Sequence, residues 1–96
     1  MEFANHLYIG ESVAARKEKI MERMKQGKVV FSVYCVTEAM NGKDLYDIYS
    51  AYEIRQPYYK ERLPKILAIA GSKEEAIGLV ALMLHEKYVE TEDGTC

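Results

Sequence analysis

The segment from Ser72 to Val89 constrains this chain most. Ser72-Lys73-Glu74-Glu75 is a capping box: the serine hydroxyl takes the N–H of Glu75, and the Glu75 carboxylate reaches back to the N–H of Ser72. The pattern predicts a helix over residues 73–89, with Glu74 and Glu75 suited to the positive end of its dipole. At 100° per residue Ile77, Val80, Ala81, Leu84 and Tyr88 form one stripe, Ala76, Leu79 and Met83 a second beside it, and Leu82 lies further round. Only Gly78 and His85 interrupt this apolar girdle. A helix apolar on most sides has to be buried on most sides. One sheet face covers part of it, and either the first helix or a second copy of the chain has to cover the rest. Gly78 points the same way, because glycine inside a helix costs about 1 kcal/mol unless packing requires it.

The remaining chain supplies one small sheet for that helix. After an N-terminal segment, residues 1–10, a helix is predicted over residues 12–26 with Ser12 as N-cap and Gly27 just beyond its end. Val13, Ala14, Ile20, Met21 and Met24 share its apolar side, and Arg16, Lys19, Glu22 and Arg23 the polar one. Residues 28–38 read as a strand, with Val29, Phe31, Val33 and Cys35 on one face and Val30, Ser32, Tyr34 and Val36 on the other. Asn41-Gly42 is a turn signal and residues 45–54 a second strand, so the two make a hairpin. Pro57 and Pro64 fix a connection over residues 55–64, a third strand covers residues 65–70, and residues 90–96 read as a disordered tail. The expectation is a single α+β domain over residues 1–96: an α-β-β-β-α order, with a three-stranded antiparallel meander packed with two helices.

Composition excludes several classes of function. With 49% apolar and 29% charged residues the chain can build a core, which argues against disorder. A net charge of −2 exerts no overall pull on nucleic acid or anionic lipid. The longest apolar run, residues 76–84, is far short of the roughly 20 residues that span a bilayer, so no membrane partner is expected. Cys35 and Cys96 do not make a disulfide framework, and residues 1–12 carry no secretory signal, which together imply a reducing, cytoplasmic setting. His6 and His85 are too few for a zinc site, no Gly-rich phosphate loop occurs, and no histidine is linked to Ser12, Ser32, Ser50 or Ser72. No catalytic residue, metal or cofactor is therefore assigned.

Three residue sets suit contact instead. Arg16, Lys19 and Arg23, with Lys17, Lys25 and Lys28 nearby, form a basic stripe able to meet phosphates. Of the eight tyrosines, Tyr34, Tyr46, Tyr49 and Tyr52 fall in the hairpin and could stack bases, although Asp44, Asp47 and Glu53 oppose a phosphate backbone. The connection carries Arg55, Tyr58, Tyr59 and Arg62, a composition typical of contact surfaces. The leading expectation is a non-catalytic interaction or regulatory module. It would act as a homodimer through Leu79, Leu82 and Met83, or with another protein partner. The alternatives are nucleic-acid binding through the basic helix and tyrosine-rich sheet, and a small-ligand sensor with a pocket between helix and sheet.

The segments Leu7-Tyr8-Ile9-Gly10-Glu11-Ser12, ahead of a basic helix, and Ile69-Ala70-Gly71-Ser72-Lys73-Glu74-Glu75-Ala76 resemble small uncharacterised bacterial α+β proteins. The resemblance implies a bacterial source and carries over no activity, cofactor or site residue.

Overall fold

The computed structural model describes residues 2–28, 30–40 and 45–95. Val29, the Asn41-Gly42 turn, Asp44 and Cys96 lie outside the described residues, as does the Tyr88 side chain. In chain order the elements are β1 (Phe3–Ile9), a 3-10 turn (Glu11–Arg16) continuing as α1 (Lys17–Lys25), β2 (Tyr34–Glu38), β3 (Tyr46–Ser50), α2 (Ala51–Ile54), α3 (Pro57–Arg62), β4 (Ile66–Ala70) and α4 (Lys73–Thr95).

The α+β class holds, but the sheet is a mixed four-stranded one in the order β1-β4-β2-β3, not a three-stranded antiparallel meander. β4 runs parallel to β1 and antiparallel to β2, and β2 and β3 form the expected antiparallel hairpin. Two facts explain the correction. Phe3, Leu7 and Ile9 of the supposed N-terminal segment pack on the core, so residues 3–9 form a strand. β4 reads Ile-Leu-Ala-Ile-Ala, apolar on both faces, and such a strand belongs in the middle of a sheet covered on both sides. The partly polar β3, half-buried throughout, takes the edge.

Local boundaries shift for equally concrete reasons. β2 starts only at Tyr34, because Ser32 adopts a positive φ of 59° and leaves Phe31 73% exposed. The strand expected over residues 45–54 stops at Ser50, whose hydroxyl accepts the N–H of Glu53 at 3.0 Å and caps α2. Pro57 opens α3 inside the expected connection. The expected disordered tail is helical to Thr95, since nothing before Gly94 interrupts the helix. Gly27 closes the first helix as predicted, at φ 74°, with the Gly27 and Lys28 N–H groups donating to the carbonyls of Met24 and Arg23.

The helices divide unequally between the two faces. Val13, Ile20 and Met24, with Ala51 and Ile54 of α2, cover one face over Cys35, Ile66 and Ile69. On the other face α4 is the one helix among the described residues, with Ala76 and Met83 buried against Val36, Ala68 and Ala70.

The start of α4 is tied to the start of the 3-10 turn by one carboxylate. Ser72 Oγ accepts the N–H of Glu75 at 3.0 Å, which is the first half of the capping box. The return arm differs from expectation: Glu75 accepts the N–H of Gly71 (2.7 Å), the hydroxyl of Ser12 (2.6 Å) and the N–H of Ser12 (3.2 Å). Ser12 therefore serves this junction rather than capping its own helix. Both flanking glycines make room for the junction, because a Cβ on Gly10 would displace the Glu75 carboxylate and one on Gly71 the Ser12 hydroxyl. Donation from the Gly71 N–H and then from the Ser12 hydroxyl holds the Glu75 carboxyl below its ordinary value, against the opposing effect of partial burial.

Glu75→Gln is expected to cost about 1–2 kcal/mol in urea unfolding at neutral pH. Because the folded-state value is depressed, the charged group stabilises the fold above roughly pH 4.3, the ordinary glutamate value. That contribution fades as pH falls through the lower folded-state value, so the variant and the parent should converge in acid. Burial pushes the Cys35 thiol up to about 12. In a Cys96→Ser background a thiol reagent should therefore modify the folded protein no faster than it unfolds.

Candidate functional site

Both faces of α4 carry features that packing within the chain does not use up. On its inner side, Ala76, Leu79, Val80 and Met83 rest on the sheet. Beneath the helix lie the small residues Ala68 and Ala70 of β4 together with the bulkier Tyr8, Tyr46 and Leu67. Side chains of unequal size beneath the helix leave a gap between it and the sheet.

The gap is a cleft of about 720 Å³ lined from five elements: His6 and Tyr8 of β1, Glu38 of β2, Tyr46 of β3, Leu67 of β4, and Met83, His85, Glu86 and Lys87 of α4. A smaller hollow of about 220 Å³, lined by Glu38, Ala39, Leu45, Tyr46 and Lys87, shares three of those residues. The Tyr8 hydroxyl donates to the Glu86 carboxylate, joining sheet to helix across the cleft. The His6 and Tyr8 rings meet edge to face with centroids 5.0 Å apart. Both histidines of the chain stand here. Among the described residues, no group of histidine, cysteine or carboxylate side chains is placed to hold a metal ion.

On the outer side, Ile77, Leu82 and Leu84 are 54%, 44% and 37% exposed. Ala81 is exposed beside them, and a Cβ added at Gly78 would meet no atom within 4 Å. The helix penalty of Gly78 therefore has no counterpart in packing within the chain.

The sequence-derived contact residues fall into separate places. Leu79, Leu82 and Met83 do not share a face: Met83 is buried and Leu79 half-buried toward the sheet, while Leu82 points away. Arg16 ends the 3-10 turn and Lys19 and Arg23 follow on α1, all three exposed. The hairpin tyrosines are split, with Tyr34 and Tyr46 packed under α4 and Tyr49 on the opposite face. Tyr52 lies outside the sheet, on α2. No single aromatic platform results.

The connection does hold a compact surface array. The Arg55 guanidinium sits 4.8 Å over the Tyr52 ring, and Arg62 sits 4.6 Å over Tyr58. Phe31 stacks on Tyr52 at 6.3 Å. Tyr59 turns inward, half-buried and 5.2 Å from Tyr49.

The cleft residues escape sequence reasoning because they come from strands and a helix far apart in the chain. The two histidines were the one available signal, and each read as isolated. Among the described residues, no helix is long and apolar enough to cross a membrane. Comparison with protein-family models, with curated proteins and with solved structures finds no match for this chain.

Proposed function

We propose that the protein is a non-catalytic interaction module that works as a homodimer, paired through the outer face of α4. The observation carrying this reading is the exposed stripe around Gly78, which lies in open space between exposed Ile77, Ala81 and Leu82. Glu74, Gly78 and Ala81 follow the 4-3 spacing of a helix seam. The occupant that fits is a second copy. An antiparallel two-fold pair centred near Val80 brings Gly78 of one copy against Ala81 of the other, and Ile77 against Leu84. Two small residues at the crossing let the helices approach to about 8 Å, and the larger ones close the flank. The reading also accounts for retaining a glycine where alanine would favour the helix. The buried Cys35 thiol is compatible with a reducing, cytoplasmic setting.

A single helix pair lies at the small end of specific interfaces, near 1,200 Å², so dissociation in the micromolar range is expected. Light scattering over a concentration series should show a species approaching twice the 11.0 kDa chain mass. Gly78→Leu should return it to monomer without unfolding, because the side chain enters open space in the single chain. A constant 11.0 kDa mass at high concentration, or a dimer indifferent to Gly78→Leu, would refute the proposal.

The two sides of α4 are expected to respond differently to truncation. Met83→Ala, which opens the core, should lower stability by about 2–4 kcal/mol in urea unfolding. Leu82→Ala should stay within about 0.5 kcal/mol under conditions where the chain is monomeric.

A further inference from the structure

We propose that the cleft beneath α4 binds a small organic cation: a protonated or quaternary amine carried on an apolar body. Its volume, about 720 Å³, is in the range of small-molecule sites, and it opens between helix and sheet. Leu67 and Met83 give it an apolar surface, on which a hydrocarbon body displaces water. Tyr8 and Tyr46 flank that surface, and the electron-rich faces of such rings attract a cation.

The charges decide the sign of the ligand. Glu38 lines the cleft from the sheet and Glu86 from the helix, so a bound group comes under the charge of both carboxylates. The Tyr8 hydroxyl donates to Glu86, which holds that carboxylate at the cleft and leaves its remaining lone pairs as acceptors. With His6 and His85 neutral, Lys87 contributes one positive charge against these two, so a bound anion would face a net repulsion. Bare metal ions are poorly served, since they want several converging ligands and the cleft combines two carboxylates from separate elements with an apolar floor. An alkyl or aryl amine uses all of these groups together.

The site lies on the opposite side of α4 from the proposed dimer seam, so either proposal can fail without the other. The test is an NMR titration of the full chain, following the Met83 methyl group. The titrants are benzyltrimethylammonium and phenylacetate, an anion of similar size. The cation is expected to give saturable shifts at Met83, and phenylacetate none. Glu38→Gln and Glu86→Gln should each weaken cation binding by about two- to fivefold, as loss of one charged contact at an exposed position implies. Tyr46→Leu should weaken it as well, while Gly78→Leu should leave it unchanged. Circular dichroism of each variant confirms that it is folded. Absence of saturable shifts with the cation would overturn the proposal. Equal binding of phenylacetate, or affinity unmoved in both glutamine variants, would do the same.

Discussion

The Glu75 carboxylate occupies the one place where the two layers of this molecule have to be reconciled. β1 and β4 lie side by side and parallel, yet the helices that follow them depart to opposite faces of the sheet. At such a switch point the backbone N–H groups beyond the strand ends have no sheet partner, and in many open sheets a ligand satisfies them. Here Glu75 does so from within, accepting from Gly71 and twice from Ser12. Gly10 and Gly71 are the complementary constraint, because a side chain at either would exclude the carboxylate or its partner hydroxyl. The direction and rotation of α4 follow from that junction. So does the division of its girdle into an inner face and an outer one.

A second consequence comes from the uneven covering of the sheet. The first face receives the 3-10 turn, α1, α2 and α3, whereas one helix serves the second. A helix is about 10 Å wide and the four strands together roughly twice that, so α4 cannot cover the face it lies on. The cleft beside Met83 is the uncovered remainder, and Tyr8, Tyr46 and Glu38 line it because they stand on strands that α4 does not fully shield. The same shortage of elements leaves Ile77, Ala81 and Leu84 exposed on the far side. A chain of 96 residues has little surplus stability, so both features carry a cost that a bound molecule or a second copy would offset.

Much of the local structure was legible because its causes are local. Ser72 and Glu75 announce a helix start three residues apart, Gly27 a helix end, and the alternation from Val33 to Val36 a strand. The failures share a different origin. Phe3, Leu7 and Ile9 follow a two-residue period that Asn5 interrupts, and a terminal stretch becomes a strand only when a partner edge is available; that edge is β4, some sixty positions away. α2 and α3 were hidden because Tyr52 and Tyr58-Tyr59 favour strands intrinsically, while the Ser50 cap and Pro57 favour short helices, and packing against the first core decided the matter.

The sequence by itself determined that this chain forms an α+β domain with a hairpin and a capped apolar last helix, because turn chemistry, capping and hydrophobic period act within a few residues. It did not determine the order of the strands, since an apolar strand such as β4 can pair with several edges and only the packed whole selects one. Nor did it determine which side of α4 meets the sheet. Over residues 76–85 a girdle apolar on all but two positions carries no phase of its own, and Leu79, Leu82 and Met83 look alike until a neighbour is supplied. The tertiary structure supplied it through the Glu75 junction, turning Met83 inward and Leu82 outward and bringing His6, Tyr8, Glu38, Tyr46 and Glu86 around one cleft. That assembly depends on contacts between distant parts of the chain, which no short-range pattern encodes.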